Sequence, residues 1–236
     1  APQSKHTVRL TGGNDVHQFY ISLGHIDQNS LYRSNNHWMK RTTFRLAESA
    51  NIKALGLQVN AALDGYRQHQ EHPYTSTSSS YFNVFSHIND KSPMIPGVNS
   101  LGLPYNVTDN PVAETASDAG YQRSIVNVIN GKGELVWSCL WVDGLKVRLA
   151  SNYRYYGETY KNWRKDAAQY DWDSDVAQYA NKPQLSHTSG TGYSYTNQAF
   201  LEYANTFGQH NISALGGFEQ YYEKGESYGA TRVSYD

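Results

Sequence analysis

The sequence predicts an all-β protein, an antiparallel meander of about eight long strands that forms part of a larger transmembrane β-barrel. Three observations lead to this prediction. Apolar residues recur at every second position in several segments, which is the period of a strand and not of a helix. The connections between these segments alternate between short and long. Aromatic residues make up 14% of the 236 residues, and 20 of them are tyrosines, a residue type that suits strands with wet surfaces.

Composition and charge exclude several other classes of protein. Mean hydropathy is −0.69, and no stretch approaches the roughly 20 consecutive apolar residues of a membrane-crossing helix, so a helical membrane bundle is excluded. The 20 basic and 21 acidic residues nearly cancel, which removes the electrostatic argument for a nucleic-acid partner. The single cysteine, Cys139, cannot form an internal disulfide or a cysteine-based metal site.

The first three strands are predicted from alternating runs at residues 5–10, 18–23 and 38–46. In each run, one set of side chains falls on one face of an extended chain and a more polar set falls on the other. A turn rich in Gly, Asn and Asp at residues 12–15 separates the first two strands, and a long loop at about 27–37 precedes the third. The three less polar rows are His6, Val8 and Leu10; Phe19, Ile21 and Leu23; and Trp38, Phe44 and Leu46.

The fourth predicted strand, residues 53–66, has the clearest pattern. Its odd positions across 55–63 are all apolar, whereas its even positions include Gln58, Asn60 and Asp64. At about 3.3 Å per residue this row is roughly 30 Å long. A tilt of about 40° projects it to roughly 23 Å, close to the apolar band of about 25 Å on an outer-membrane barrel. We therefore predict that the odd row faces lipid and that Gln58, Asn60 and Asp64 face the lumen.

The next two strands follow a long loop at about 67–120 and flank a predicted tight turn at Asp143 and Gly144. Apolar residues alternate across 135–141 before this turn and across 145–155 after it. The second run carries basic residues on its polar side, and we predict that they also face the lumen. These basic residues are Lys146, Arg148 and Arg154.

The last two strands follow a third long loop at about 157–191. They are predicted from alternating runs at about 193–203 and 212–218, with a turn at about 205–210 between them. Because short turns and long loops alternate, all the long loops of a meander lie at one end of the sheet, as in transmembrane β-barrels. Both chain ends then fall on the long-loop side. We therefore expect residues 1–236 to be one partial-barrel segment, an internal run of strands.

A soluble β-sandwich gives the same alternation, because one face of each strand then packs on a partner sheet while the other meets solvent. This alternative fold stays open from the sequence, and with it a soluble carbohydrate-binding β-module as the alternative function. The two readings differ in one structural requirement. In a sandwich, the apolar row at 55–63 packs against a second sheet.

Motifs spread in order over the whole chain resemble one family. They are Gly12-Gly13, the run YISLGHIDQ at 20–28 with Arg41 and Arg45 after it, NPVA at 110–113, GLKV at 144–147 and FGQHNISALGG at 207–217. Together these motifs resemble the SusC/RagA type of TonB-dependent outer-membrane transporter.

The resemblance implies a fold, a location and partners. The parent would be a plugged barrel of about 22 strands in the lipid of the bacterial outer membrane, and this chain would be an internal fragment of its wall without the plug. The family likeness further implies import of oligosaccharides or peptides. It implies a SusD-like surface lipoprotein as partner and energy supplied by the TonB complex.

Aromatic residues crowd the third long loop beside charged residues. Flat aromatic faces next to hydrogen-bonding groups are what a sugar or peptide needs to be held in water. The alternative, that these aromatics only pack the loops on one another, stays open. The candidate substrate-binding residues are Trp163, Tyr170, Trp172 and Tyr179.

Two short motifs contain residue types that bind metals but lack the context that a metal site requires. The His-x-x-His run at 69–72 has a Pro directly after it and does not have the order of a zinc peptidase helix. The Asp-rich run at 171–175 lacks the glycine and the distal glutamate of an EF-hand. We expect no metal and no cofactor. No arrangement of catalytic residues indicates an enzyme.

Overall fold

The computed structural model describes residues 2–32, 36–74, 80–179 and 182–234. It contains one eight-stranded antiparallel sheet in which the strand order follows the chain, so the predicted all-β meander is confirmed. Two helices lie in the connection between the fourth and fifth strands. The elements are β1 (Gln3–Gly13), β2 (His17–Asn29), β3 (Trp38–Ile52), β4 (Leu57–Pro73), α1 (Ser80–Asp90), α2 (Pro111–Glu114), β5 (Tyr121–Ser138), β6 (Leu145–Arg164), β7 (Gln184–Phe207) and β8 (His210–Val233).

The register aligns the apolar rows of all eight strands on one face of the sheet. Leu63 on β4 pairs with Leu46 on β3, and Leu149 on β6 pairs with Leu135 on one side and with Ala199 on the other. Because residues paired across an antiparallel ladder point to the same side, we call this side the apolar face and the opposite side the polar face. The apolar face includes Val8, Leu10, Ile21, Leu23, Phe44, Leu46, Leu57, Val59, Leu63, Leu135, Val147, Leu149, Leu201, Ile212 and Phe218.

No second sheet covers the apolar face in the described part of the chain. Leu63 is 40% exposed, Leu149 is 47% exposed and Phe218 is 65% exposed. These side chains therefore do not pack on a partner sheet, as those of a β-sandwich do. β1 and β8 are the two edges of this sheet, and the described strands do not close it into a barrel.

The fourth strand begins at Leu57 and not at residue 53, where the sequence predicts its start. Residues Lys53–Leu55 form a single 3₁₀ turn, and Gly56 follows with a φ of 64°. A side chain at Gly56 would lie 2.3 Å from the Ser138 carbonyl oxygen, so this reversal requires glycine. The prediction that Leu55 belongs to the apolar row of a strand was wrong, because the chain reverses there and the row begins at Leu57.

The strands extend further into the predicted long loops than the alternation indicated. β4 continues to Pro73, β6 continues to Arg164 and β7 begins at Gln184. Near the long loops both faces carry polar residues, which hides the alternation although the backbone ladder continues. Residues 33–35, 75–79 and 180–181 of these loops lie outside the described residues. Among the described residues, none of the helices has the length and apolar character that a membrane span requires.

Candidate functional site

All six residues that we predicted to face a lumen lie on the polar face. Gln58 and Arg148 both stand beside Val136, because β4 and β6 flank β5. Asp64 and Arg154 stand on either side of Asn130 in the same way. The complete set on this face is Gln58, Asn60, Asp64, Lys146, Arg148 and Arg154.

A chain of polar contacts crosses the polar face from β3 to β7. The Ser49 hydroxyl donates to Asn60 Oδ1 at 2.8 Å, and Asn60 Nδ2 donates to Glu134 Oε2 at 3.1 Å. Arg148 follows, with its Nε 3.7 Å from Glu134 Oε1 and its Nη2 3.1 Å from Glu202 Oε1. We call these five residues the polar ladder. Each member is held by a neighbour on the next strand, so the ladder presents a fixed hydrogen-bonding surface.

A groove of about 1010 Å³ lies near the short-turn end of the sheet. Its lining includes polar-face residues from β2 to β6, among them three members of the polar ladder. Such a groove offers hydrogen-bond donors, acceptors and both signs of charge to whatever lies against it. The polar-face residues in the lining include Tyr20, Ser49, Asn60, Lys132, Glu134 and Asn152.

The structure places three of the four candidate substrate-binding residues on the loop that follows β6. The Trp172 ring meets the Tyr105 ring edge to face, with 5.5 Å between centroids. Tyr170 forms a parallel bridge with Tyr105, and its backbone N–H donates to the Pro104 carbonyl at 2.9 Å. Trp172 is 47% exposed, so its ring contacts the neighbouring loop and still has surface available for a ligand.

The loop after β6 is pinned to the loop after β4 by one buried amide. Asn99 is 4% exposed, and its Nδ2 donates to the carbonyls of Asp171 and Ser174, each at 3.0 Å. Its Oδ1 accepts from the backbone N–H groups of Leu101 and Leu103, at 3.0 and 2.9 Å. We call the two segments, residues 95–110 and 165–179, the outer loop unit. Asn99 hydrogen-bonds to both segments, and further hydrogen bonds join Ser100 to Trp172 and Asn106 to Asp171.

The remaining two candidate residues lie apart from Trp172. Tyr179 is 59% exposed and lines a cavity of about 470 Å³ together with Tyr74, Asn106 and Lys165. Trp163 lies within β6, paired with Tyr121 and Leu185 on the neighbouring strands. The four candidates therefore do not form one site.

The two metal-like motifs are used for other contacts. His69 and Glu71 lie on one face of β4 and His72 on the other, because the side chains of a strand alternate. His69 packs edge-on against Trp38 with 4.6 Å between ring centroids, and Glu71 lies 2.5 Å from the Arg123 guanidinium. In the Asp-rich run, the Asp171 carboxylate accepts from Asn106 and Gln178 in the outer loop unit.

A histidine pair near the loop between β2 and β3 was also not anticipated. The His37 and His72 rings lie 4.7 Å apart, and the Tyr32 ring stacks on His37 at 5.6 Å. Burial, with a smaller contribution from the positive charge of His72, lowers the pKa of His37 from 6.5 to about 4. His37 is therefore neutral at physiological pH.

Sequence reasoning also missed a cluster of His87, Asp109 and Glu114, whose ligand-type atoms all lie within 4.8 Å of one another. His87 lies on α1 and Glu114 ends α2. Burial raises the pKa of the Glu114 carboxyl, and the hydrogen bond with His87 opposes this effect. One signal for α2 was present: Asn110 caps its first turn and Pro111 follows, which is a common start of a helix.

No family model and no curated protein matches the sequence, but solved structures do. A chain in a structure of the RagAB peptide transporter matches with a TM-score of 0.68 and 17% identity, over 99% of this chain and 26% of that one. A chain of the RagAB peptide importer in its closed-closed state matches with a TM-score of 0.69 and 18% identity, over 99% of this chain and 26% of that one. In the open-open state the TM-score is 0.68 and the identity 17%, over 98% of this chain and 25% of that one. The likeness shows the fold, and this chain spans about a quarter of the length of those chains.

Proposed function

We propose that this chain forms part of the barrel wall of a SusC/RagA-type outer-membrane transporter that imports peptides or oligosaccharides. The observation that carries the proposal is the register of the sheet, which collects the apolar rows of eight strands on one uncovered face. In water, such a face would drive aggregation. In a bilayer, it meets hydrocarbon while the polar face meets a wet interior.

Tyrosines at two levels of the apolar face support the membrane placement: a stacked cluster nearer the long loops, and Tyr203 nearer the short turns. Tyr153 stacks on Tyr193 with 6.2 Å between ring centroids, and Tyr195 stacks on Tyr222 at 5.3 Å. Tyr203 lies on the same face of β7, toward the short turns. From Tyr193 to Tyr203 the strand rises roughly 33 Å at about 3.3 Å per residue. A tilt of about 40° reduces this rise to about 25 Å, the height of the apolar band between the aromatic girdles of such a barrel.

Charged residues occupy the apolar face between the stacked tyrosine cluster, which includes Tyr193 and Tyr195, and the long loops. Lys40 lies 3.5 Å from Asp27, and Arg123 lies 2.5 Å from Glu71. Charged side chains on the lipid face of a barrel are costly at the bilayer midplane and tolerated beyond the interface. The change from apolar to charged side chains therefore supports an outer membrane–water interface at the stacked tyrosine cluster. The long loops then lie outside the cell.

The substrate class and the partners are part of the same proposal. The similar solved structures are of a peptide importer, which favours peptides, while exposed Trp172 in the outer loop unit also suits a sugar ring. The proposal includes a SusD-like surface lipoprotein at the long-loop end and energy from the TonB complex. No catalytic step belongs to it.

A soluble carbohydrate-binding module is the alternative function, and the exposed ring of Trp172 favours it. The uncovered apolar face counts against it, because Leu63 and Leu149 are both at least 40% exposed. A soluble module buries such rows against a second sheet.

Spin labels on neighbouring residues test the membrane placement. Ala61 lies on the apolar face and Ala62 on the polar face, so A61C and A62C are matched variants of the same residue type. In the whole polypeptide reconstituted into lipid, oxygen should relax the label of A61C more than a water-soluble nickel reagent does. The label of A62C should not show this preference. Equal access of the nickel reagent to both labels would contradict the proposed orientation.

Uptake by living cells tests transport. Deletion of the gene should abolish growth of the host bacterium on either short peptides or oligosaccharides as the limiting nutrient. Dissipation of the proton motive force should stop uptake in the wild type. Uptake that is unaffected by both treatments would exclude a TonB-driven importer, even if the spin labels place the sheet in a membrane.

A further inference from the structure

The cluster of His87, Asp109 and Glu114 lies outside the sheet, between α1 and α2. Both oxygens of the Glu114 carboxylate lie 2.9 Å from His87 Nδ1. Asp109 Oδ1 lies 3.9 Å from His87 Nε2. The side chains of His87 and Glu114 are only 19% and 17% exposed, whereas that of Asp109 is 46% exposed. Three ligand-type groups, from α1, from α2 and from the segment just before α2, therefore converge at one half-buried point.

The spacing of these groups suits a first-row transition metal. Ligand atoms about 2.0–2.2 Å from such an ion stand roughly 3–3.5 Å apart. The 2.9 Å between His87 Nδ1 and the Glu114 oxygens is close to this separation. Asp109 Oδ1 lies 3.9 Å from the other ring nitrogen, Nε2, so its exposed side chain has to move for all three groups to bind one ion. A nitrogen ligand with two carboxylates favours zinc over calcium or magnesium, which prefer oxygen ligands alone.

The backbone that carries two of the ligands is fixed. Asn110 is 1% exposed, and its Nδ2 donates to the carbonyls of Gly97 and Tyr105 at 2.9 and 2.7 Å. Its Oδ1 accepts from the Val112 N–H at 3.0 Å. Asp109 is adjacent to this residue and Glu114 lies one turn of α2 beyond it, so neither ligand has to be ordered by the metal itself.

The site also has access and room for further ligands. Asp109 and Glu114 both line the cavity of about 470 Å³ that adjoins the outer loop unit. Zinc sites with three protein ligands keep an open position that water occupies. Water in this cavity can fill that position.

Charge supports a cation at this point. Two carboxylates face a single imidazole. The Lys91 ammonium donates to the Thr108 carbonyl, and its positive charge also acts on Glu114. We infer that His87, Asp109 and Glu114 bind one zinc ion, which joins α1 to α2 and stabilises the loop between β4 and β5. The inference does not depend on the transport function, since it concerns only these loop residues.

Zinc titration of the whole polypeptide in detergent, after removal of metals with a chelator, tests the site. The wild type should bind one more zinc ion than H87A by isothermal titration calorimetry. D109N and E114Q should each weaken that site at least tenfold. H17A is the matched control, because His17 Nδ1 lies 3.3 Å from Glu48 in an exposed pair that has no third ligand among the described residues. H17A should bind zinc like the wild type.

Hydrogen exchange of the loop gives a second readout that does not require counting ions. Zinc should slow exchange in peptides from residues 84–91 and 107–116 of the wild type and not of E114Q. Calcium and magnesium at the same concentration should have no such effect. Equal zinc binding by wild type, H87A and E114Q would overturn the inference, and so would protection by calcium alone.

Discussion

Arg148 on β6 and Glu202 on β7 form an ion pair across the polar face, with 3.1 Å between Nη2 and Oε1. Arg148 also faces Glu134 on the opposite side, at 3.7 Å. One guanidinium therefore serves two carboxylates. Arg148 thereby joins Glu202 to the rest of the polar ladder, which runs from Glu134 through Asn60 to Ser49.

The first prediction follows from this shared cation. R148Q should lower the thermal stability of the folded protein more than E202Q does, because R148Q leaves two carboxylates without their cation. The Arg148 side chain is 43% exposed, so a double-mutant cycle should give a small coupling of about 0.2–1 kcal/mol for the pair. Heat-dependent mobility in gels with detergent measures the unfolding temperature. K132Q, on the same face and without an ion pair in the described part of the chain, should have little effect.

A second prediction concerns the two faces of β4. V59R should reduce the folded, membrane-inserted fraction, because an arginine on the lipid face near the bilayer midplane costs about 2–4 kcal/mol. Val59 pairs with Ala50 and Leu135, midway along the apolar face. A62R places the same side chain on the polar face of the same strand and should insert normally. If the two variants insert equally, the sheet does not face lipid in the proposed sense.

The sheet was largely predictable because its signal is local. The alternation at Leu57, Val59 and Leu63 requires only neighbouring residues, and it assigned the faces on which the structure places them. The errors lie where a turn overrides the alternation. At Leu55 the side-chain pattern continues, but Gly56 reverses the backbone, and a periodicity of side chains does not detect that reversal.

The outer loops were not predictable, because their contacts join distant parts of the chain. His87 and Glu114 are 27 residues apart, and Ser100 and Trp172 are 72 residues apart. No period in the sequence links such residues. The aromatic residues of the third loop could be identified as candidates, whereas the separation of Trp163 from Trp172 depends on how far β6 extends.

A third prediction concerns Asn99, which fastens the two segments of the outer loop unit. N99A should increase hydrogen exchange in residues 168–178, because Leu101, Leu103 and two carbonyls lose their partners. Loss of such buried hydrogen bonds costs about 1–3 kcal/mol for each group left unsatisfied. N89A is the control, since the exposed Asn89 side chain donates to the Phe85 carbonyl within its own helix. Unchanged exchange in N99A would mean that the segments are held by other contacts.

The last prediction concerns acid and the segment around His37. Its pKa of about 4 lies below the ordinary value of 6.5, chiefly because of burial. Below about pH 6.5 an opened segment binds a proton that the closed one does not, so the closed state loses stability as pH falls toward 4. Above pH 6.5 both states are neutral, and stability there should not depend on this group. The rings that face His37 are Tyr32 and His72.

Hydrogen exchange of peptides that include residues 36–38, corrected for the intrinsic effect of pH, measures this opening. Protection in the wild type should be lower near pH 5 than near pH 7.5. H37N keeps a polar side chain that does not titrate, so its protection should change much less over the same range. H17N, a substitution at an exposed histidine beside a short turn, should behave like the wild type. Equal loss of protection in H37N and in the wild type would assign the acid response to another group, with His72 the nearest candidate.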